Sequence, residues 1–271
     1  MIDGGRQNQI AVDTAQNTTI NSFAGYDTFT VTPQDTARTA VYAYINYGGT
    51  VTISWEEMRE TANSDVRIFD LLAHKRRNAI SSMKDRVNSD LYVAAPAVND
   101  INSLPFLITT TGTVGGIDSA ANAWWQSQQN ATVGAFPANG LTQMRDLWND
   151  IVRQGQGDPD FTVTTQAVHQ LYEAEIDPDV RYDNPDNLGR GAKTLTWKGK
   201  PIFFEADMTA GELYTINRKW ITLAVDTDGT FTVDEMVKPA NQKVFTATLA
   251  FRGQLYVTNR RALGRCTGIT A

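Results

Sequence analysis

The chain has 271 residues, 41% apolar and 20% charged, enough for one large or two ordinary domains and too apolar for wholesale disorder. A formal charge of −6 argues against a general nucleic-acid or membrane-surface binder, because phosphate contacts are made with Lys and Arg. A lone cysteine, Cys266, excludes an internal disulfide framework and fits a reducing compartment, and the sequence shows neither an 18-residue apolar span nor a signal peptide after Met1.

Residues 1–25 are rich in Gln, Asn and Thr, with scattered apolars such as Ile10, Val12, Ile20 and Phe23. Such a segment cannot offset its own ordering entropy, so its partner is either a neighbouring chain or the core of its own. The stretch 26–55 follows, with "YDTFTV", the turn-prone "TPQDTART" and the aromatic "VYAYINYGGTVTISW". Two hairpins satisfy this pattern. With Gly48-Gly49 as a two-residue turn, Tyr44 opposes Val51, Tyr42 opposes Ile53 and Ala40 opposes Trp55. With the tip at 33–38, "YDTFTV" pairs with residues 50–55 instead. Either gives a protruding two-stranded ribbon, which is marginal in water without something to cover it.

Ser54 and Glu57 have capping-box spacing, and Glu56 and Glu57 suit a helix N-terminus. From about Asp65 to Val93, Val66, Phe69, Leu72, Ile80, Met83, Val87 and Leu91 form a helical stripe. At ~1.5 Å per residue that helix is about 43 Å long, whereas a compact chain of this size has a radius of gyration of roughly 18 Å. The basic run His74-Lys75-Arg76-Arg77 on the same helix is read as a solvated or salt-bridged face. Residues 96–134 are short strands and loops, ending near "GGIDSAANAWWQSQ". If Trp124 and Trp125 lie on a strand they point to opposite faces, so one is free for an interface unless both are buried in different layers.

Helices are expected at 141–154 and 165–175, with a strand at 161–163 between them. The aperiodic stretch 177–193 reads as a long exposed loop. The last third is β, with strands at 194–197, 201–206, 212–217, 220–225 and 230–233. The alternating run 243–258 would make a strand of roughly 53 Å, with a bulge at Gly253 as one way to shorten it. A long helix and a long strand in one modest chain imply a flat, elongated body.

Chemistry is sparse. His74 and His169 lack metal or triad spacing, and Cys266 has no evident base partner. "AVDTDGTFTVDE" (224–235) imitates a calcium loop through Asp226, Asp228, Gly229 and Glu235, but position 1 is Ala224 and the flanks are strands, so a β-hairpin turn is the better reading. The Asp-Pro-Asp and Asn-Pro-Asp triplets at 158–160, 177–179 and 184–186 are turn formers. No catalytic residue, cofactor site or metal site is assigned. A competing reading makes the β-rich C-terminal half a carbohydrate-binding or hydrolytic module, with Asp226, Asp228 and Glu235 as its acids.

The order of parts resembles the major capsid proteins of tailed double-stranded DNA bacteriophages of the Hong Kong 97 type. The likeness is carried by "YGGTVTISWEEMRETAN…IFDLLAHKRRNAISSMKDRVNSDLY", "GGIDSAANAWWQSQ" and the C-terminal "TLTWKGKPIFFEADMTAGELYTIN…VKPANQKVFTATLAFRGQLYVTNRRALGRCTGI". It implies an α+β fold with an N-terminal arm (1–25), an extended β-hairpin loop (26–55), a peripheral domain (56–134) with spine helix 65–93, an axial domain (135–237), and a return to the peripheral domain over 238–271. It also implies a non-enzymatic protein that forms pentamers and hexamers of an icosahedral shell around double-stranded DNA, without sequence-specific contact to that DNA. Such a shell is built in a bacterial cytoplasm, and with only about 25 residues before the ribbon a separate scaffolding protein, or none, is expected, together with a portal. Subunit-interface candidates on the arm and ribbon are Phe23, Tyr26, Tyr42, Tyr44, Val51, Ile53 and Trp55. Further candidates are Trp124, Trp125, Arg181 and Arg190. Encapsulin nanocompartments, which share this fold, are the runner-up. Covalent crosslinking, found in some relatives, is not carried over because no residue trio marks it.

Overall fold

A computed structural model describes residues 4–60, 65–155, 157–176 and 195–271, with the main chain alone described for 65–70. The chain divides into two compact units. One comprises Met1–Arg6, Ala43–Pro105 and Leu223–Leu255, the other Gln7–Tyr42, Phe106–Thr222 and Tyr256–Ala271.

In the first unit the aromatic strand Ile45–Ser54 runs antiparallel to the long strand Val244–Val257 in unbroken register, from Ser54 opposite Val244 to Ile45 opposite Gly253. Directly opposed residues share a face, so Val51, Ile53, Ala247, Leu249 and Phe251 form one buried layer. The helix Asp65–Leu91 lies against this strand, and its Met83 and Val87 are buried as the stripe requires. Gly48-Gly49 is therefore no turn. Both residues are mid-strand, opposite Ala250 and Leu249, and a Cβ on Gly49 would sit 3.5 Å from Met83 Cε. A Cβ on Gly49 would make only an ordinary contact with Met83, and one on Gly48 would meet nothing within 4 Å, so the pair continues the strand without close packing demanding glycine. Nor does Gly253 make a bulge: it pairs with Ile45, and a Cβ there would lie 2.7 Å from the Ala224 carbonyl oxygen.

The stretch after Ala224 runs along the other edge of the long strand. Asp226 N donates to Arg252 O (3.0 Å), Arg252 N to Gly229 O (2.8 Å), and Val237 and Thr246 exchange bonds of 2.9 Å. Residues 226–231 thus form an excursion within one edge run, which corrects the expected hairpin between 220–225 and 230–233. Asp226 forms an ion pair with Arg252 (3.0 Å) and caps the excursion by accepting from Asp228 N.

The short helix Trp55–Glu60 begins on the predicted capping box. Ser54 N donates to Glu57 Oε2 (3.0 Å), and Glu57 N donates to Ser54 Oγ (3.1 Å). Lys75 of the long helix pairs with the same carboxylate at 2.8 Å, so the basic run is salt-bridged here. The Lys75 hydrogen bond, then the cap, hold the Glu57 carboxyl below its usual range. Its folded pKa is thus depressed, so the contribution is complete above the unfolded value and is lost as pH falls through the folded one. Replacing Ser54 with Ala should cost about 1 kcal/mol. Chemical denaturation of that variant should also show a weaker loss than the parent as pH falls below the usual carboxylate range.

The second unit centres on a six-stranded sheet in the order Gln128–Asn130, Gly264–Cys266, Leu213–Ile216, Phe161–Thr164, Lys200–Phe204, Leu195–Trp197. The outer pair 128–130 with 264–266 and the pair 161–164 with 200–204 are parallel, the rest antiparallel. Helices Leu141–Gly155 and Gln166–Glu175 cover one face through Leu147, Ile151, Val168 and Tyr172, which pack with Leu195, Ile202, Leu213 and Cys266. Thr165 caps the second helix by accepting from Val168 N. Because Gly264–Cys266 is a strand of this sheet, residues 256–271 belong to this unit. Residues 106–134 join it as well, so the compact units do not follow the boundaries expected at 134/135 and 237/238.

The ribbon also belongs to this second unit, but not in either predicted register. Gln7–Asp13 pairs with Ala37–Ala43, and Thr14 N donates to Thr36 O where the two strands part. The N-terminal tract is thus one strand of the ribbon. Its polar residues at alternate positions face outward, while Val12 is 5% exposed.

Candidate subunit-contact surface

Residues 14–36, between the ribbon strands, form neither helix nor strand. They carry Ile20 (79% exposed), Phe23 (66%), Tyr26 (fully exposed), Phe29 (66%) and Val31 (94%). Leaving a large apolar side chain in water forgoes about 1.5–3 kcal/mol of burial, and five within twelve residues form a patch rather than scattered singletons. The loop has local order: Phe23 and Phe29 meet edge-on at 5.1 Å, and Asp27 accepts from Ala24 N at 2.9 Å. Its aromatic contacts are with itself, which orders the tip without hiding it.

The other predicted contact residues divide sharply. Tyr42, Val51, Ile53 and Trp125 are 3%, 3%, 3% and 1% exposed, so their side chains are used by the chain's own core and leave no surface for a neighbour. Tyr42 donates to Val257 O at 3.0 Å, and burial pushes its phenol up to about 12. Trp55 stays 43% exposed, flanked by the guanidinium of Arg59 at 5.2 Å and the ammonium of Lys243 at 5.1 Å. Tyr44 is half-buried under Arg252, and Trp124 is half-buried with its ring 5.6 Å from that of Trp125. Arg181 and Arg190 lie outside the described residues.

The adjacent tryptophans sit on a single 3-10 turn, Ala123–Trp125, rather than on a strand. That turn follows a two-residue hairpin in which Gly115 and Gly116 both have positive φ (61° and 78°), linking Thr113–Val114 to Ile117–Asp118. A left-handed pair at both central positions is the turn that matches strand twist, and glycine adopts it without strain.

Arg260 organises this region, and no sequence pattern announced it. The residue is fully buried. Its guanidinium donates from Nε to Leu107 O (2.9 Å), from Nη1 to Trp125 O (2.8 Å) and Ser119 Oγ (2.5 Å), and from Nη2 to Thr109 O (2.6 Å). Three of these acceptors are main-chain carbonyls, so the partners are set by backbone geometry that a sequence does not display. Burial lowers the guanidinium to about 10, which still leaves it charged at neutral pH. Cys266 is buried 1% exposed in the helix-covered core, where burial pushes its thiol up to about 12. His169 packs its ring edge against Phe204 at 5.3 Å.

No protein-family model and no curated protein matches the chain. Among solved structures, the chain is similar to the capsid asymmetric unit of cyanophage A-1(L), with a TM-score of 0.72 and 14% identity over 98% of this chain and 89% of that one. It is similar to the capsid of the native GTA particle, with a TM-score of 0.64 and 14% identity over 98% and 86%. It is also similar to the holo-SrpI encapsulin complex of Synechococcus elongatus PCC 7942, with a TM-score of 0.57 and 12% identity over 99% and 83%. A match along nearly the whole chain, with long helix, long strand and mixed sheet in one order, leaves one architecture: the chain has the α+β fold of Hong Kong 97-type phage capsids.

Proposed function

We propose that the protein is a major capsid subunit that assembles through pentamers and hexamers into an icosahedral shell around double-stranded DNA. The observation that carries this reading is the 14–36 loop, which places five large apolar side chains in water on a chain with a capsid fold. Identical copies can cover such a loop at no cost in new sequence, and closed symmetry multiplies a modest contact into a stable container. In this reading the unit with the long helix and long strand is the peripheral domain, and the six-stranded sheet belongs to the axial domain. The protein's role is structural and non-catalytic, a scaffolding protein and a portal act in its assembly, and the filled shell forms in a bacterial cytoplasm. The net charge of −6 suits an inner wall that does not trap DNA.

Light scattering and negative-stain microscopy of the purified chain test the reading. Closed particles of megadalton mass are expected, and a monomer at all concentrations, with or without co-expressed scaffold, overturns it. Trp55→Ala should lower particle yield while leaving the circular dichroism of the subunit unchanged. Normal yield would remove Trp55 from the contact surface. An encapsulin-like shell is the second reading, favoured by the likeness to the Synechococcus encapsulin complex. Particles containing enzyme instead of DNA would select it.

A further inference from the structure

The strand Ile45–Ser54 has the long strand on one side and, among the described residues, no strand on the other. Its register decides which main-chain groups face the open side. Trp55 N donates to Lys243 O, while Thr246 and Arg252 of the long strand spend their main-chain groups on its far edge, with Val237, Asp226 and Gly229. The hydrogen-bonded pairs between the two strands are therefore the odd-numbered ones, from Ile53 with Phe245 to Ile45 with Gly253. Gly48, Thr50 and Thr52 point their N–H and C=O groups outward. Thr52 O accepts from Lys75 Nζ at 3.3 Å, and no hydrogen bond reaches the others among the described residues. An open edge is a template for another strand, which charge, proline or a bulge usually blunts. Here "INYGGTVTIS" holds no charged residue and no proline, and its pairing runs without a bulge. A groove of about 510 Å³ lies between Thr50–Thr52 and the long helix, at His74, Lys75 and Asn78. From Leu71 to Lys84 that helix carries Lys75, Arg76, Arg77 and Lys84 and no carboxylate. Glu57 engages Lys75, whereas no ion pair engages Arg76 or Arg77 among the described residues.

We infer that this edge is a strand-addition site for an extended acidic segment of a partner protein, paired to Gly48, Thr50 and Thr52 with its carboxylates toward the basic turn 74–77. Main-chain pairing supplies affinity in such contacts, and side chains at alternate positions supply the choice of partner. A second copy of the chain is the poorer match. Its exposed loop, 14–36, offers only Asp27 and Asp35 as charges. Eight residues of extended chain separate those two by about 26 Å, too far for both to meet one helical turn. The inference goes beyond the capsid reading, since it calls for a partner of different sequence.

The probe is a fluorescein-labelled synthetic peptide, Glu-Thr-Glu-Thr-Val-Thr-Glu-Thr-Glu, titrated onto the purified chain, with a peptide carrying Gln for each Glu as control. Residue-resolved hydrogen exchange is measured on the same mixtures. Without peptide, the amides of Gly48, Thr50 and Thr52 should exchange much faster than those of Gly49, Val51 and Ile53. The acidic peptide should bind saturably and slow the first three at least tenfold. Thr50→Pro removes an N–H that the subunit's own sheet does not use, and should abolish binding. Arg76→Glu combined with Arg77→Glu, on the exposed helix face, should weaken binding about tenfold and decides the matter if the proline variant does not fold. No slowing at saturating peptide, equal binding of the Gln peptide, or unchanged affinity in the charge variant overturns the inference. So does slowing of the three amides in particles made from this chain alone, which would give the edge to a second copy. None of these results touches the capsid reading, which stands or falls on whether particles form.

Discussion

Replacing Arg260 with Ala should destabilise the unassembled subunit by roughly 4 kcal/mol or more, among the largest effects of any single substitution outside the apolar core. The change removes the guanidinium donors from three main-chain carbonyls and the Ser119 hydroxyl and leaves a cavity the size of a guanidinium; Ser127 still donates to Leu107 O and Thr109 O, so Trp125 O and Ser119 Oγ lose most. A buried acceptor left without a donor costs about 1–3 kcal/mol, and bonds to a charged donor are at the upper end. Lysine should recover only a small part, since three ammonium donors on one nitrogen cannot reach acceptors spread around a planar fork. Ser119→Ala removes one acceptor together with its need for a donor and should cost about 1 kcal/mol. Urea unfolding is the measurement, with the midpoint moving and the slope preserved. An unchanged midpoint for Arg260→Ala would show that segment 107–125 holds its shape without the clamp.

On the proposed capsid reading, the second large effect is on assembly and leaves the subunit largely alone. Changing Phe23, Tyr26 and Phe29 together to Ser should alter subunit stability by no more than about 1.5 kcal/mol, about 0.5 for each mostly exposed side chain, the Phe23–Phe29 contact included. If each anchors a contact worth about 2 kcal/mol, their joint loss raises the concentration needed for particles on the order of 10⁴-fold. Sedimentation velocity across a dilution series reads this directly. Particles forming at the parental concentration would mean that the loop is ornamental and that the shell is held elsewhere.

Much of the framework was visible in the sequence because it follows from local chemistry. The helix Asp65–Leu91, the helix Leu141–Gly155 and the strand Val244–Val257 announce themselves by apolar period, and Ser54 with Glu57 fixes a helix start to the residue. Sequence misleads where tertiary packing decides between two local possibilities. Gly48-Gly49 has the composition of a turn, yet both residues continue the strand, paired with Ala250 and Leu249. The tract from Gln7 to Asp13 looked unable to order itself, and it is ordered only because Ala37–Ala43 lies beside it. Alternation placed Val51 and Ile53 together on one face correctly, but could not say that the helix, rather than a neighbour, covers it. The clamp at Arg260 was illegible for a different reason. Carbonyls are present at every position, so nothing in residue identity marks which of them gather around a cation.

The ten-residue register between Ile45–Ser54 and the long strand also bears on how lineages with this architecture can diverge in length. Adding or removing one residue there would turn every following side chain to the wrong side of the sheet, exchanging greasy for wet along the whole seam. Between Thr14 and Thr36 no such phase exists to be lost, since lengthening an already long loop adds only a few tenths of a kcal/mol in closure entropy. Gaps in alignments of natural variants should therefore gather in the second stretch and spare the first. If copies meet through this loop, as proposed, evolution can retune how one grips the next without renegotiating how each holds itself.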